Sequence, residues 1–263
     1  MIKFKKTKQH IYVERPDPDT DIPSFQTAIF RYMFAKQFVK DKKVLDIGCG
    51  YGYGTMLLSE DAKEVIGTDI SKDAIDQAKN KLNAGNKNVV FMVMDAENPQ
   101  FPDGTFDVLV VYEMIEHVDN YKRCLGEMKR VLKPNGLLII STPKKEDNFN
   151  GLPGNPYHKH VFTYSEFESI LKDMFGEIEM FHQKSSDKAM ESFHKGKPLK
   201  RKLAKFDIFN LHSFIPRKFY VFLNRLFNFA VTEDLTPEDY PIRKVDGSTD
   251  KSKIRLMVAL CKK

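Results

Sequence analysis

The chain has 263 residues, of which 42 are Lys or Arg and 36 are Asp or Glu, so its formal net charge is +6. A content of 41% hydrophobic and 30% charged residues is typical of a soluble globular protein and excludes a disordered or fibrous chain. No stretch reaches the roughly 18 consecutive apolar residues that span a bilayer, and the Lys-rich start has no apolar core. We therefore expect a cytoplasmic protein. The three cysteines lie far apart, which predicts no disulfide framework.

Short apolar runs alternate with amphipathic stretches between residues 43 and 142, a pattern typical of βα units around a parallel sheet. Helices are predicted from Thr55, from an N-cap at Ser71 to about Asn83, and from about Tyr121 to Leu132. The predicted strands of this part are 44–47, 64–69, 89–94, 106–111 and 137–141.

The pattern changes after Pro143, where a Gly/Pro/Asn-rich loop covers residues 144–157. Thr163 followed by Glu166 predicts a capping box and a helix to about Met174. A sixth strand is predicted at 177–182 and a seventh at 254–260. The intervening segment of about 70 residues has a different composition, so we expect a cap inserted between the last two strands.

A glycine-rich turn follows the first predicted strand and reads Asp46-Ile47-Gly48-Cys49-Gly50-Tyr51-Gly52. Glycines let the backbone approach a ligand at the carboxyl edge of a parallel sheet. The dinucleotide spacing G-x-G-x-x-G is not met, because Tyr53 stands three residues after Gly50. An acidic residue ends each of the next two strands. Asp69 can accept hydrogen bonds from both hydroxyls of a ribose, and Asp95 can face an adenine amino group.

These segments resemble class I S-adenosylmethionine-dependent methyltransferases, in the order in which that family has them. The matching segments are 44–52, 67–71, 94–96, 106–118 and 132–138. The resemblance implies an α/β fold with a Rossmann-like seven-stranded sheet, with S-adenosylmethionine as cofactor and S-adenosylhomocysteine as product. We predict three parts of the chain. An N-terminal helical segment, 1–40, covers the cofactor site, and the cofactor-binding domain consists of 41–183 and 251–263. The third part is a basic, Phe-rich helical cap, 184–250.

The resemblance also implies contacts with the cofactor around the first two strands. Gly48 and Gly50 would approach its methionine and ribose portions, Asp69 would bind the ribose hydroxyls, and Ile70 would pack on the adenine. Asp46 would either organise the loop or hold the amino group of the cofactor through a water molecule.

Further contacts are implied beyond these strands. Asp95 and the backbone of Ala96 would bind the adenine edge, and Tyr112 or Glu113 would lie near the sulfonium. Arg31 either holds the cofactor carboxylate through a bidentate contact or is a surface arginine on an amphipathic helix.

The flanking segments resemble those of bacterial methyltransferases found with polysaccharide and glycosyltransferase gene clusters. They are 14–16, 31–35, 155–158 and 162–167. This resemblance implies methyl transfer to a hydroxyl of a small polar acceptor, a sugar or a glycan intermediate. One alternative is an N-methyltransferase acting on an amino sugar or another amine. A second is a membrane- or nucleic-acid-associated protein that retains the cofactor structurally.

An alcohol acceptor needs a base as its oxygen receives the methyl group. His158 is the first candidate, as base or substrate ligand, because it follows the long loop and imidazole titrates near neutrality. His117 lies after the fourth strand, but its Ile-Glu-His-Val string is common to family members with different substrates, which favours a scaffolding role. Glu113 is the third candidate at the reaction centre. No set of His, Cys, Asp and Glu shows the sequence spacing of metal ligands, so no metal is expected.

The positive charge is concentrated between Phe193 and Val231, where nine Lys or Arg stand against one acid. This gives +8 in 39 residues and leaves −2 for the rest of the chain. An amphipathic basic helix here suits a lid that packs on the core or on a second subunit, a membrane-surface contact, or the binding of an acidic substrate. Nucleic acid is not expected as a partner, because no RNA-binding motif accompanies the charge. The chain is expected to be a monomer or a homodimer.

Overall fold

The computed structural model describes residues 22–82, 87–145, 157–184 and 237–263. The helices are α1 (Ile22–Lys36), α2 (Tyr53–Ser59), α3 (Lys72–Leu82), α4 (Tyr121–Val131) and α5 (Tyr164–Phe175). The strands are β1 (Lys43–Ile47), β2 (Glu64–Asp69), β3 (Val89–Val93), β4 (Phe106–Tyr112), β5 (Leu132–Pro143), β6 (Glu177–Gln183), β7 (Ile242–Lys244) and β8 (Leu256–Lys262). Among these helices, none combines the length and the apolarity needed to cross a membrane.

All eight strands form one sheet with the order β3-β2-β1-β4-β5-β8-β6-β7. The strands from β3 to β5 in this order are parallel, whereas β8 runs antiparallel to both β5 and β6. The carboxyl ends of β1, β2, β3 and β4 therefore meet at one edge of the sheet. Loops that follow parallel strands at such an edge form the ligand sites of α/β folds.

The sheet has one strand more than the seven expected. The additional strand, β7, pairs antiparallel with the edge of β6 through residues 181–183. It comes from the predicted cap segment, 184–250. Residues 185–236 of that segment, with the basic stretch 193–231, lie outside the described residues.

Strand β5 begins earlier than the predicted 137–141 because it contains a bulge. Leu132 pairs with Phe106, and the register then shifts so that Leu137 pairs with Val108. Asn135 has a φ of 62° inside this bulge. The residues that predicted a turn after α4 thus form an irregularity within the strand.

The sheet is covered on both faces, which explains why its central strands are almost wholly apolar. On one face, α4 and α5 contribute to a core that includes Phe106, Leu125 and Phe167. On the other face, α1 and α2 contribute Tyr32, Ala35 and other buried side chains. Helix α1 is thereby fixed over the carboxyl edge of the sheet, next to the loop after β1.

Candidate active site

The loop after β1 is built from glycines in backbone conformations that other residues rarely adopt. Gly48, Gly50 and Gly52 have φ values of 76°, 55° and 80°. A Cβ atom on Gly48 would lie 2.8 Å from Cγ of Met114, so a side chain there would collide as well as strain the backbone. The loop therefore presents bare backbone to the space in front of the sheet edge.

The carboxylate of Asp69, at the end of β2, is oriented by the two neighbouring loops. Its Oδ2 accepts from the Gly50 N–H at 3.0 Å, and its Oδ1 accepts from the Ser71 N–H at 2.8 Å. These bonds hold the carboxylate against the glycine loop at the wall of a cavity.

This first cavity, of about 360 Å³, lies where β1 to β4 end. Its lining includes residues that the sequence assigned to the glycine loop, the ribose and the adenine of the cofactor, namely Gly48, Asp69, Ile70, Asp95 and Ala96. Ile70 keeps 70% of its surface exposed, which leaves an apolar side chain beside the cavity. The carboxylate of Asp95 accepts from the N–H of Glu97 at 2.9 Å. The cavity thus combines an apolar surface with the carboxylates of Asp69 and Asp95 at the ends of neighbouring strands.

A second cavity, of about 460 Å³, lies between α1, the glycine loop and the end of β4. The predicted site residues in its wall are Arg31, Gly48, Gly50, Tyr112, Glu113, His117 and His158. Three of them, Gly48, Glu113 and His117, also line the first cavity. The two cavities therefore adjoin at these residues.

Arg31 is only 6% exposed and is positioned by side chains from distant parts of the chain. Its Nη1 donates to Oε1 of Gln183 at 2.8 Å, and Gln183 donates to the Thr27 carbonyl at 3.0 Å. The Tyr112 hydroxyl donates to the Arg31 carbonyl at 3.0 Å. Within the described residues, the buried Nε of Arg31 has no hydrogen-bond partner. Because an unpaired buried N–H costs free energy, a ligand that accepts from it would be stabilised. The buried position excludes the alternative of a surface arginine.

Asp46 does not lie in the site, in contrast to its assignment as a cofactor residue. It is fully buried and is absent from the walls of both cavities. Its Oδ1 accepts from the Tyr32 hydroxyl at 3.0 Å and its Oδ2 from the Thr55 hydroxyl at 2.6 Å. The physical reason is that α1 packs over the end of β1, so Asp46 joins α1 to α2 instead of facing a ligand. This agrees with the loop-organising role that the sequence left open.

Glu113, directly after β4, occupies the left-handed region with a φ of 49°. This conformation is costly for a residue other than glycine and is held by its neighbours. The Ser141 hydroxyl donates to Oε1 of Glu113 at 2.8 Å, and the Glu113 N–H donates to the Ser141 carbonyl at 3.2 Å. Strand β5 thus fixes the Glu113 carboxylate at the junction of the two cavities.

The two candidate histidines lie side by side, with their ring centroids 4.9 Å apart. Nδ1 of His117 lies 3.1 Å from the carbonyl oxygen of Tyr157. A carbonyl can only accept, so in the neutral ring Nδ1 carries the proton and Nε2 keeps its lone pair. That Nε2 lies 3.9 Å from Oε1 of Glu116, whose Oε2 accepts from the Thr142 hydroxyl at 3.0 Å.

Backbone hydrogen bonds bring His158 to this position. The N–H groups of Lys159 and His160 both donate to the Glu116 carbonyl, at 2.8 and 3.1 Å. They attach the segment that leads to α5 to the turn after β4. The sequence expectation of no metal rested on spacing along the chain, whereas folding brings donor atoms of Glu116, His117 and His158 within 4.8 Å of one another.

Burial changes the charge states of the groups around the histidines. It raises the pKa of Glu116 well above its ordinary value, and the nearby Glu113 raises it further. Burial also lowers the pKa of His158, and the neighbouring His117 contributes to that shift. A neutral His158 is therefore favoured near pH 7.

Several lining residues were not predicted from the sequence. In the second cavity, α1 contributes Phe25, Ile29 and Tyr32. Their spacing of three and four residues is a signal of one helix face that sequence reasoning could have used. Arg255, immediately before β8, follows the predicted cap in the sequence and has no such signal.

The sequence of this chain is similar to those of known methyltransferases. The family described as "Methyltransferase domain" matches residues 45–140. A probable S-adenosylmethionine-dependent methyltransferase of Mycobacterium tuberculosis is 31% identical over 61% of this chain and 58% of that protein. A ubiquinone biosynthesis O-methyltransferase of Coxiella burnetii is 32% identical over 43% of this chain and 48% of that protein. The chain thus spans about half the length of these relatives.

Proteins whose sequences differ greatly from this chain also have its fold. The structure of the [4+2]-cyclase SpnF has a TM-score of 0.59 and 15% identity, over 96% of this chain and 85% of that one. The name of this protein shows that the class I fold alone does not fix the reaction. The match over residues 45–140 is more specific than the fold, because this segment is similar in sequence to the family described as "Methyltransferase domain".

Proposed function

We propose that the chain is an S-adenosylmethionine-dependent methyltransferase that methylates a hydroxyl group of a small polar acceptor, a sugar or a glycan intermediate. The observation that carries the proposal is the junction of the two cavities at Gly48, Glu113 and His117. A cofactor whose adenosine part lies in the first cavity would pass this junction with its amino-acid part toward Arg31, and its methyl group would face an acceptor in the second cavity. Such an arrangement supplies the proximity that an in-line displacement needs.

The residues at the site fit this cofactor on three observations. The Asp69 carboxylate at the end of β2 suits ribose hydroxyls, and the exposed Ile70 beside it offers an apolar surface to an adenine. The unpaired Nε of the buried Arg31 suits a carboxylate. When bound, S-adenosylmethionine supplies a methyl group on a sulfonium, whose carbon–sulfur bond breaks as the bond to the acceptor forms.

The chain's own residues would then take the proton of the acceptor. In the proposed reaction, the hydroxyl gives its proton to the neutral imidazole of His158, which has a lowered pKa and lines the second cavity. The fixed carboxylate of Glu113 would orient the acceptor at the junction.

The hydroxyl part and the sugar part of the proposal rest on different observations. The Coxiella relative is named an O-methyltransferase, but it matches only 43% of this chain. The sugar part of the proposal rests on the resemblance of the flanking segments to methyltransferases of polysaccharide gene clusters.

The experiment on the acceptor is incubation of the protein with S-adenosylmethionine and a panel of nucleotide-linked sugars, followed by mass spectrometry. Methylation of amino sugars at nitrogen alone would contradict the hydroxyl proposal and favour an N-methyltransferase.

The cofactor assignment predicts the behaviour of Asp69→Ala. We expect this variant to bind S-adenosylhomocysteine at least about tenfold more weakly, because hydrogen bonds to a charged group contribute about 1.5–3 kcal/mol. Isothermal titration calorimetry measures the affinity. The matched control is Asp73→Ala, which removes an exposed carboxylate from α3 and should bind like the wild type. Unchanged affinity in Asp69→Ala would refute the assignment.

A further inference from the structure

Three side chains in the wall of the second cavity have the composition and spacing of ligands to a divalent metal ion. They are Glu116, His117 and His158, and one donor atom from each lies within 4.8 Å of the others. Donor atoms bound to Zn²⁺ at about 2.0–2.2 Å lie about 3–4 Å from one another. The 3.9 Å between Nε2 of His117 and Oε1 of Glu116 falls in this range and is too long for a hydrogen bond.

The hydrogen bonds of His117 and Glu116 are of the kind that orients metal ligands. A metal-binding histidine almost always donates its other ring N–H to a carbonyl or carboxylate, which fixes its tautomer and orientation. Nδ1 of His117 has this partner in the Tyr157 carbonyl, so the lone pair of Nε2 faces Glu116. The carboxylate of Glu116 is likewise fixed by the Thr142 hydroxyl.

The burial of Glu116 is a third observation. The residue is 1% exposed, and a buried carboxylate is costly unless a positive charge lies beside it. Among the described residues, His117 is the only basic side chain within ion-pair distance of Glu116, and at 3.9 Å the two are not hydrogen-bonded. A cation bound between Glu116, His117 and His158 would stabilise the charged form of this buried carboxyl group.

We propose that Glu116, His117 and His158 bind a divalent first-row transition-metal ion with its open coordination positions toward the second cavity. Two imidazoles and one carboxylate form a set that suits Zn²⁺ or Fe²⁺ rather than Mg²⁺, which prefers oxygen ligands. The role of the ion rests on the proposed function: an acceptor hydroxyl bound to it has a lowered pKa and gives its proton to the Glu113 carboxylate. In the cation-free protein, the lone pair of His158 remains available for that proton.

The experiment uses the full chain after treatment with a chelator and dialysis. Zn²⁺ is titrated by calorimetry, and Co²⁺ is titrated while its visible absorption reports ligation by the protein. We expect one ion per chain in the wild type and at least tenfold weaker binding in His158→Ala and in Glu116→Gln. The matched control is His160→Ala, whose ring contacts the Asp119 carbonyl and which should bind Zn²⁺ like the wild type.

The inference is overturned if the wild type binds no more Zn²⁺ than the His117→Ala/His158→Ala double variant, or if the single variants bind Zn²⁺ as the control does. Binding of S-adenosylhomocysteine is measured for each variant as a check on its fold. If a variant loses this binding, His158→Gln is titrated with Zn²⁺ in its place. Methyl transfer by wild type that binds no Zn²⁺ overturns the metal site and leaves the proposed function standing. Zn²⁺ binding of the expected pattern without cofactor binding supports the metal site and removes the proposed function.

Discussion

Arg31 is a buried guanidinium whose hydrogen-bonding capacity is only partly used within the described residues. Nη1 is bound to Gln183, whereas Nε is buried without a partner among the described residues. A guanidinium can bind a carboxylate through two parallel N–H bonds, which the point charge of a lysine cannot do. The geometry therefore favours recognition of the carboxylate at the amino-acid end of the cofactor.

This interpretation predicts a ligand-dependent effect of Arg31→Lys. We expect the affinity for S-adenosylhomocysteine to fall about tenfold or more, because a charge-assisted bidentate contact is lost. The affinity for methylthioadenosine, which has the adenosine and the sulfur but no carboxylate, should not change. Calorimetry with both ligands measures the difference, and the exposed Arg123→Lys is the control. An equal loss for both ligands would show that Arg31 acts on the fold and not on the carboxylate.

Among single residues, the sequence predicted correctly those that lie directly at the end of a strand. Asp69 and Asp95 each follow a predicted strand, and parallel strands bring their carboxyl ends to one edge. The Gln183 contact with Arg31 could not be predicted, because 152 residues separate the two. For Asp46 the sequence left open a loop-organising role and a cofactor contact, and could not decide between them because the burial of this residue depends on where α1 packs.

Helix α5 is the element whose start is most clearly encoded in its own sequence. The Thr163 hydroxyl accepts from the Glu166 N–H at 3.2 Å, and the Glu166 carboxylate accepts from the Thr163 N–H at 2.8 Å. Together they form the capping box that the sequence predicted. The box also begins the helix immediately after the segment that carries His158.

Removal of this capping box should affect the stability of the protein but not its ligand binding. We expect Thr163→Ala to lower the free energy of unfolding by about 1 kcal/mol, the usual cost of losing such a cap. Urea unfolding measures this value, and calorimetry should show unchanged affinity for S-adenosylhomocysteine. Ser165→Ala removes an exposed hydroxyl from the first turn and serves as the control. Equal unfolding free energies for the two variants would contradict a stabilising box.

Elements that depend on distant partners were less predictable than this helix. Strand β7 has three residues and no apolar alternation, and it exists because the edge of β6 offers hydrogen-bonding groups. The extended start of β5 depends in the same way on the pairing of Leu132 with Phe106. Local signals such as caps lie within a few residues, whereas strand pairing depends on the whole chain.

At the scale of the whole molecule, Asp46 links the sheet to two helices through one buried carboxylate. Tyr32 of α1 and Thr55 of α2 each donate a hydrogen bond to it. Burial raises the pKa of Asp46 to about 7, and the two hydrogen bonds oppose this shift only in part. In the unfolded chain, the same carboxyl group titrates near its ordinary value of 3.8.

The sign of the resulting pH dependence follows from proton counting. Between about pH 4 and 7, the folded chain binds the Asp46 proton and the unfolded chain does not, so the contribution of Asp46 to stability falls as the pH rises. The slope approaches about 1.4 kcal/mol per pH unit within this window and disappears above it. We therefore expect wild type to lose stability relative to Asp46→Asn as the pH is raised from 5 to 7.

The comparison with Asp46→Asn isolates this single group. Asparagine keeps nearly the same shape and can still accept from Thr55, but it does not titrate, so all other groups cancel in the difference between the two proteins. Urea unfolding at several pH values gives that difference. A value that stays constant from pH 5 to 8 would mean that Asp46 is already ionised in the fold at pH 5. The hydrogen bonds from Tyr32 and Thr55 would then outweigh its burial, and the contact between α1, α2 and the sheet would contain a buried negative charge.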